Sequence, residues 1–295
     1  MREAIELFLR TLAEEKGYAS NTIVAYRNDL AQLHGFEAGN HQRTAWSQVT
    51  KQDLASYVRW LCDEKEYAAA TVARKVAAVK SFFHHLKDQA DIATDPTEKL
   101  HSPHVQKYTP VSLSESEVRK LLQAPLRASG ARSLRDAALL ELLYATGMRV
   151  SEIVSLDVDN VDLERCNVRC LSKNRHGERV LPFHRRAGES LRTYLAEGRP
   201  QLLRNHGEPA LFLNHRGQRL TRQGLWLIIK RYVKQTGIET SVTPHTLRHS
   251  FARHMLKGGA DVHEVQGLLG HANVSTTQAY THVREAYDEA HPRAN

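Results

Sequence analysis

The chain holds 295 residues, enough for about two domains with cores of their own, and its 41% hydrophobic and 25% charged content excludes disordered and fibrous classes. Three cysteines (Cys62, Cys166, Cys170) make no disulfide framework, no apolar run nears the ~18–20 residues of a membrane span, and the opening Met-Arg-Glu-Ala-Ile-Glu has no signal-peptide core. A cytoplasmic location without a membrane partner is therefore expected, and the net charge of +8 points to an anionic partner, nucleic acid first.

The charge is unevenly placed. Residues 1–105 carry 13 basic and 14 acidic side chains, and residues 106–295 carry 28 and 19. The first part reads as four amphipathic helices. Ile5, Phe8, Leu9 and Leu12 recur at helical spacing and Gly17 closes the stretch. Ser20 is expected to cap a second helix with Ile23, Tyr26, Leu30 and Leu33 on one face. Thr50 is expected to cap a third, carrying Leu54, Tyr57, Val58 and Leu61. A fourth runs from about Ala69 to Leu86 through Val72, Val76, Val79, Phe83 and Leu86, and the four predict a small bundle. The fourth helix carries Arg74, Lys75, Lys80 and Lys87, with no acid from Ala68 to Lys87. That basic face is either solvated or turned toward phosphate.

Asp95-Pro96, Ser102-Pro103 and Thr109-Pro110 break the helical period and favour extended chain. The expected division is a first domain at 1–92, a linker at 93–108 and a second domain at 109–290. Periodicity resumes at Ser114, and an apolar stretch from Ser133 to Tyr144 ends at Thr146-Gly147. Cys166–Leu171 alternates, and Glu178–Phe183 follows a turn-like Lys173-Asn-Arg-His-Gly177, which predicts a β-hairpin. Further helices are expected at about 187–197, 222–236, 244–257, 261–269 and 276–287. The second domain is thus mainly α with a small antiparallel sheet.

Three stretches could carry chemistry. In Thr243-Pro-His-Thr-Leu-Arg-His-Ser-Phe251, Thr243 is a good N-cap and Pro244 suits the first helical position. His245 and Arg248 then share a face near a helix N-terminus, where free N–H groups attract an anion. A metal on His245 and His249 at i, i+4 is the rival reading, though no acid accompanies them and Arg248 lies between. In Leu268-Leu-Gly-His-Ala-Asn-Val-Ser-Thr-Thr-Gln-Ala-Tyr280, Gly270 ends one helix and Ser275-Thr-Thr-Gln278 starts another as a capping box. His271 then falls in the turn and Tyr280 one helical turn beyond, either as a packed side chain or as a nucleophile. In Ala145-Thr-Gly-Met-Arg-Val-Ser-Glu-Ile153, Arg149 sits at a helix break, either as a surface charge or held for an anion by Glu152.

Together these stretches resemble the tyrosine recombinase (phage integrase) family, Xer type. The resemblance also covers Leu220-Thr-Arg-Gln-Gly-Leu-Trp226, the closing Tyr-Asp-Glu-Ala-His-Pro-Arg293 and the four-helix region, essentially the whole chain. It implies an N-terminal four-helix core-binding (SAM-like) domain and a helical catalytic domain with a small antiparallel sheet, the tyrosine recombinase fold. The family's six-residue set falls on Arg149, Lys173, His245, Arg248, His271 and Tyr280. One departure is the hairpin turn, Ser172-Lys-Asn-Arg-His-Gly-Glu-Arg179, where Xer proteins usually have a Gly-Lys-Gly turn.

The resemblance implies that Tyr280 attacks a DNA phosphate, leaving a 3′-phosphotyrosyl link and a 5′-hydroxyl. Arg149 and Arg248 would hold the non-bridging oxygens, Lys173 would protonate the leaving oxygen, His245 would act as base and His271 would bond a phosphate oxygen. Glu152 would support Arg149. No metal, ATP or other cofactor is expected. Arg222 and Gln223 would read the major groove, with Arg74, Lys75 and Lys80 facing DNA from the other domain. The implied partners are a double-stranded recombination site and a homo- or heterotetramer with a paralogous recombinase, exchanging strands through a Holliday junction. A DNA translocase activator is left open. The implied role is resolution of chromosome dimers, favoured by the absence of a further domain before the bundle. A mobile-element integrase or resolvase, and a non-catalytic DNA-binding protein, are the alternatives.

Overall fold

The computed structural model describes residues 1–104, 111–171 and 178–270. The chain divides into two units, Met1–Tyr108 and Thr109–Asn295. In the first, α1 (Arg2–Glu14), α2 (Ser20–Asn40), α3 (Lys51–Asp63) and α4 (Ala69–Asp88) form the bundle. Its core is built from Phe8, Leu12, Leu30, Leu33, Leu54, Tyr57, Leu61, Val72, Val79, Phe82 and Phe83, all buried at the spacing the sequence shows. Each such side chain contributes about 2 kcal/mol on leaving water.

Thr50 caps α3 as expected: its hydroxyl accepts the Asp53 N–H at 3.2 Å, and Asp53 accepts the Thr50 N–H at 2.9 Å. Ser20 does not cap α2. The residue before the helix is Ala19, with no side-chain cap, and Ser20 is already helical. The part of the expected linker before residue 101 also packs with the bundle. Asp95 turns the chain by accepting the Thr97 N–H at 2.8 Å, and Leu100 is buried in the same core as Leu86 and Ile92.

The second unit opens with α5 (Glu115–Gln123), capped by Ser114, and continues into α6 (Ala131–Thr146). Leu139, Leu140, Leu142 and Leu143 of α6 are fully buried on every side, so α6 is the axis around which the unit packs. Gly147 ends α6 in the left-handed region at φ 58°, and a Cβ there would meet a Phe251 ring carbon at 2.5 Å. A short helix, α7 (Val150–Ser155), follows at once; with six residues it is too brief to show a period in the sequence.

The strands β1 (Val161–Asp162), β2 (Asn167–Leu171) and β3 (Glu178–Pro182) form an antiparallel sheet in chain order. The hairpin is the expected one and β1 is an addition. Val168 faces Leu181 and Cys170 faces Arg179 across β2–β3. Val168, Cys170 and Leu181 are buried, while Arg169 and Val180 on the other face are exposed.

After the sheet, α8 (Arg185–Thr193) runs through one wide turn at Tyr194–Gly198 into α9 (Arg199–Leu202). The helical run is longer than the expected 187–197. His184 starts it, its Nδ1 accepting the Ala187 N–H at 3.2 Å, and the wide turn precedes Pro200, which has no N–H for a regular ladder. Then come α10 (Arg222–Thr236), α11 (Pro244–Lys257) and α12 (Val262–Leu269), matching the expected helices closely. The expected helix at 276–287 lies outside the described residues. Among the described residues no helix is long and apolar enough to cross a membrane.

Candidate active site

The first turn of α11 is made by Thr243, whose hydroxyl accepts the Thr246 N–H at 3.2 Å, and by Pro244 in the first helical position. Leu247 and Phe251 bury one face. His245 is exposed on the first turn, and Arg248, one turn further, is only 4% exposed. A guanidinium so deeply placed needs partners for its donors. Arg248 Nη1 donates to the Gly147 carbonyl and Nη2 to the Leu269 carbonyl, both at 2.6 Å. His249 beside it is held below the usual histidine range by burial, with the charges of His245 and Arg248 adding to the effect.

Arg149 sits at the head of α7 with extended backbone. Glu152 accepts its N–H at 2.7 Å and its Nη1 at 2.9 Å, while Nη2 donates to the Gly270 carbonyl at 2.6 Å. Arg179 reaches the same carboxylate from β3, Nη1 to Oε1 at 3.0 Å and Nη2 to Oε2 at 2.8 Å. Burial pushes the Glu152 carboxyl up, but the bonds from Arg179 and from the Arg149 backbone, with both guanidinium charges, more than reverse it and hold it below the usual range. It is a fixed anion shared by two cations.

The end of α12 is the common point. Its carbonyls at Leu268, Leu269 and Gly270 take donors from Arg179, Arg248 and Arg149 respectively. These are the unpaired carbonyls at the negative end of a helix, where cations are favoured. Gly270 closes α12 at φ 63°, and a Cβ there would stand 3.0 Å from Arg179 Nη1 and 3.5 Å from Arg149 Nη1. The structure thus brings Arg149, Glu152 and Arg248 together at the residue before His271. Lys173, His271 and Tyr280 lie outside the described residues. Arg179 was missed in the sequence; the signal for it was a charge at an inward-facing position of β3.

The residues expected to read DNA divide. Arg222 and Gln223 are exposed at the start of α10, with Trp226 at 41% and Lys230 on the same side. Lys230 Nζ lies 4.9 Å above the Trp226 ring. Lys75 is corrected. It is buried, and its ammonium is bonded at 2.8 Å to Asp29, itself 1% exposed, because a charge inside the bundle must be paired. Arg74 is exposed but also bonded to Asp29, with Nη2 at 3.1 Å from Oδ1. Among the described residues Lys80, half-buried, has no ion pair. One group of three metal-type ligands occurs among them, Glu37, His41 and Asp53 in the first unit, with Arg43 bonded to Asp53 at 2.9 Å.

The family model of the phage integrase family matches residues 112–286, and that of the phage integrase N-terminal SAM-like domain matches residues 5–90. Among curated proteins, the chain is similar to tyrosine recombinase XerC of Herpetosiphon aurantiacus, 51% identical over 99% of this chain and 96% of that one. It is also similar to tyrosine recombinase XerD of Listeria monocytogenes, 41% identical over 100% of both. A crystal structure of XerH site-specific recombinase bound to palindromic difH substrate, a post-cleavage complex, has the same fold, with a TM-score of 0.73 at 20% identity over 98% of this chain and 94% of that one. The chain belongs to the phage integrase family and is a tyrosine recombinase, an enzyme that cuts and rejoins DNA.

Proposed function

We propose that this protein is a site-specific recombinase that resolves chromosome dimers through a 3′-phosphotyrosyl intermediate and a Holliday junction. The observation that carries the reading is the convergence of Arg149 and Arg248 on adjacent carbonyls, Gly270 and Leu269, directly before His271. Each guanidinium is held there by backbone carbonyls, and in this reading the non-bridging oxygens of a phosphodiester take over those donors. Similarity to proteins named both XerC and XerD supports the chromosomal role over that of a mobile-element integrase.

In this reading Tyr280 Oη attacks the phosphorus and the bond to the 5′-oxygen breaks. His245 takes the phenol proton, and Lys173 gives a proton to the departing oxygen. Arg149, Arg248 and His271 meet the charge on the phosphoryl oxygens as it grows. Losing one such group costs about 10²–10³ in rate. The energy of the broken ester is kept in the tyrosyl link, so rejoining needs no nucleotide and no metal. Residues 1–92 and residues 109–290 would each bind the duplex, in a homo- or heterotetramer with a paralogous recombinase in the cytoplasm. Arg222 and Gln223 would meet base edges, with Trp226 and Lys230 beside them.

The test is Tyr280→Phe. It binds DNA but forms no covalent adduct with a nicked duplex, whereas wild type does. Cleavage by Tyr280→Phe sinks the assignment. Genome-wide mapping of Tyr280→Phe binding distinguishes the roles: one site near the replication terminus fits dimer resolution, and scattered element ends fit an integrase.

A further inference from the structure

Arg179 lies on β3 opposite Cys170, on the face of the hairpin that Val168, Cys170 and Leu181 bury. An arginine at an inward position is an expensive choice, since a guanidinium withdrawn from water must have its donors met. Its side chain is 16% exposed, and its donors are met by two oxygens of Glu152 and, at 3.3 Å, by the Leu268 carbonyl. The partners come from two distant stretches, α7 and the end of α12. Both also hold Arg149, through Glu152 and through Gly270.

The sharing has a geometric consequence. Arg149 Nη1 and Arg179 Nη1 both donate to Oε1 of Glu152, at 2.9 and 3.0 Å. Oε2 is taken by Arg179 Nη2 and by the Arg149 backbone N–H. With Arg179 in place, the Arg149 side chain has one carboxylate oxygen to hold, and its other nitrogen stays directed to Gly270. Without Arg179, the carboxylate keeps only its bonds to Arg149, and it is free to rotate about the backbone N–H contact and draw the guanidinium around. The space at Gly270 that a Cβ would fill is occupied by the Arg179 guanidinium, its Cζ 3.2 Å from that point. The glycine and the arginine are thus fitted to each other.

We propose that Arg179 is a positioning residue for the reaction: it orients Glu152 so that Arg149 is aimed at the phosphate. This rests on the reading of Arg149 as a phosphate-binding residue. A misplacement of such a group by about 1 Å costs on the order of 100-fold in rate. The probe is a nicked suicide duplex carrying the sequence that Tyr280→Phe selects from a pool of random duplexes, used with the full chain. In Arg179→Lys and Arg179→Gln, the single-turnover rate of adduct formation falls about 10- to 100-fold, while DNA affinity stays within about twofold. Lysine keeps the charge but not the fork, so its failure to rescue marks orientation rather than charge. Should Arg179→Gln unfold, Arg179→Lys carries the comparison.

Arg149→Ala combined with Arg179→Lys reacts no more slowly than Arg149→Ala alone, because both act through one guanidinium. A wild-type rate in Arg179→Lys, or losses that simply add in the double variant, overturns the proposal. If wild type itself forms no tyrosyl adduct, the reading of the site falls and the proposal with it. If wild type reacts and the Arg179 variants react equally well, the proposal alone falls.

Discussion

The Glu152 carboxylate holds Arg149 at both ends, accepting its backbone N–H at 2.7 Å and its Nη1 at 2.9 Å. The backbone bond starts α7, and the side-chain bond sets the direction of the guanidinium. Because Glu152 is 7% exposed and also faces Arg179, removing the carboxylate strands a largely buried cation. Glu152→Ala is expected to cost about 3 kcal/mol of stability, and Glu152→Gln clearly less, since the amide oxygen still accepts. Urea unfolding of the two variants checks the order.

Acid should weaken the protein in two separable windows. His254, bonded at 2.8 Å to the Tyr144 hydroxyl, is held below its ordinary value of 6.5 by burial. Its folded pKa is depressed, so its contribution is present above 6.5 and is lost as pH falls through the folded value. Glu152 is held below its ordinary 4.5 despite burial, so its contribution is lost only further down. His254→Asn is expected to flatten the stability–pH curve below about pH 6.5, and Glu152→Gln below about pH 4.5. Unfolding midpoints measured across pH for each variant read the two windows apart.

Two glycines in the same left-handed conformation should respond differently to alanine. Gly270→Ala strains the backbone by about 1–2 kcal/mol and also pushes a Cβ against Arg179 and Arg149. Gly237, which closes α10 at φ 65°, has open space where a Cβ would stand, so Gly237→Ala bears the backbone strain alone. Adduct formation is expected to fall by about tenfold or more in Gly270→Ala and to stay near wild type in Gly237→Ala. Single-turnover cleavage at saturating DNA makes the comparison.

The lysines of α4 should also part company. Lys75 is the buried partner of Asp29, which Arg74 also holds, so Lys75→Ala is expected to lower stability by about 2 kcal/mol and leave the salt dependence of DNA binding unchanged. Lys80 has no ion pair among the described residues. Lys80→Ala is expected to leave stability unchanged and to reduce the salt slope by about one phosphate contact. Fluorescence titrations at several salt concentrations, beside unfolding curves, decide between the two.

Much of this was legible in the chain. The bounds of α10 and α11 follow from Thr221, Thr243 and Gly237, because caps and left-handed closures are local chemistry. The pair Arg149 and Glu152, three residues apart at a helix start, was also readable, since N-terminal pairing depends on spacing alone. Other features were not. Six-residue α7 and two-residue β1 are too short to show a period. Lys75 looked like its neighbours Arg74 and Lys80. What distinguishes it is Asp29, 46 residues earlier on α2.

By itself, then, the sequence determined most of the described helices, the hairpin and the family, all of which rest on local spacing and on motifs. Tertiary structure decided which charges are occupied and which are aimed. Arg179 became visible only when the β2–β3 register turned it inward to Glu152 and the end of α12. The physical reason is that a buried ion must be paired, and its partners come from whichever distant elements the fold lays against it.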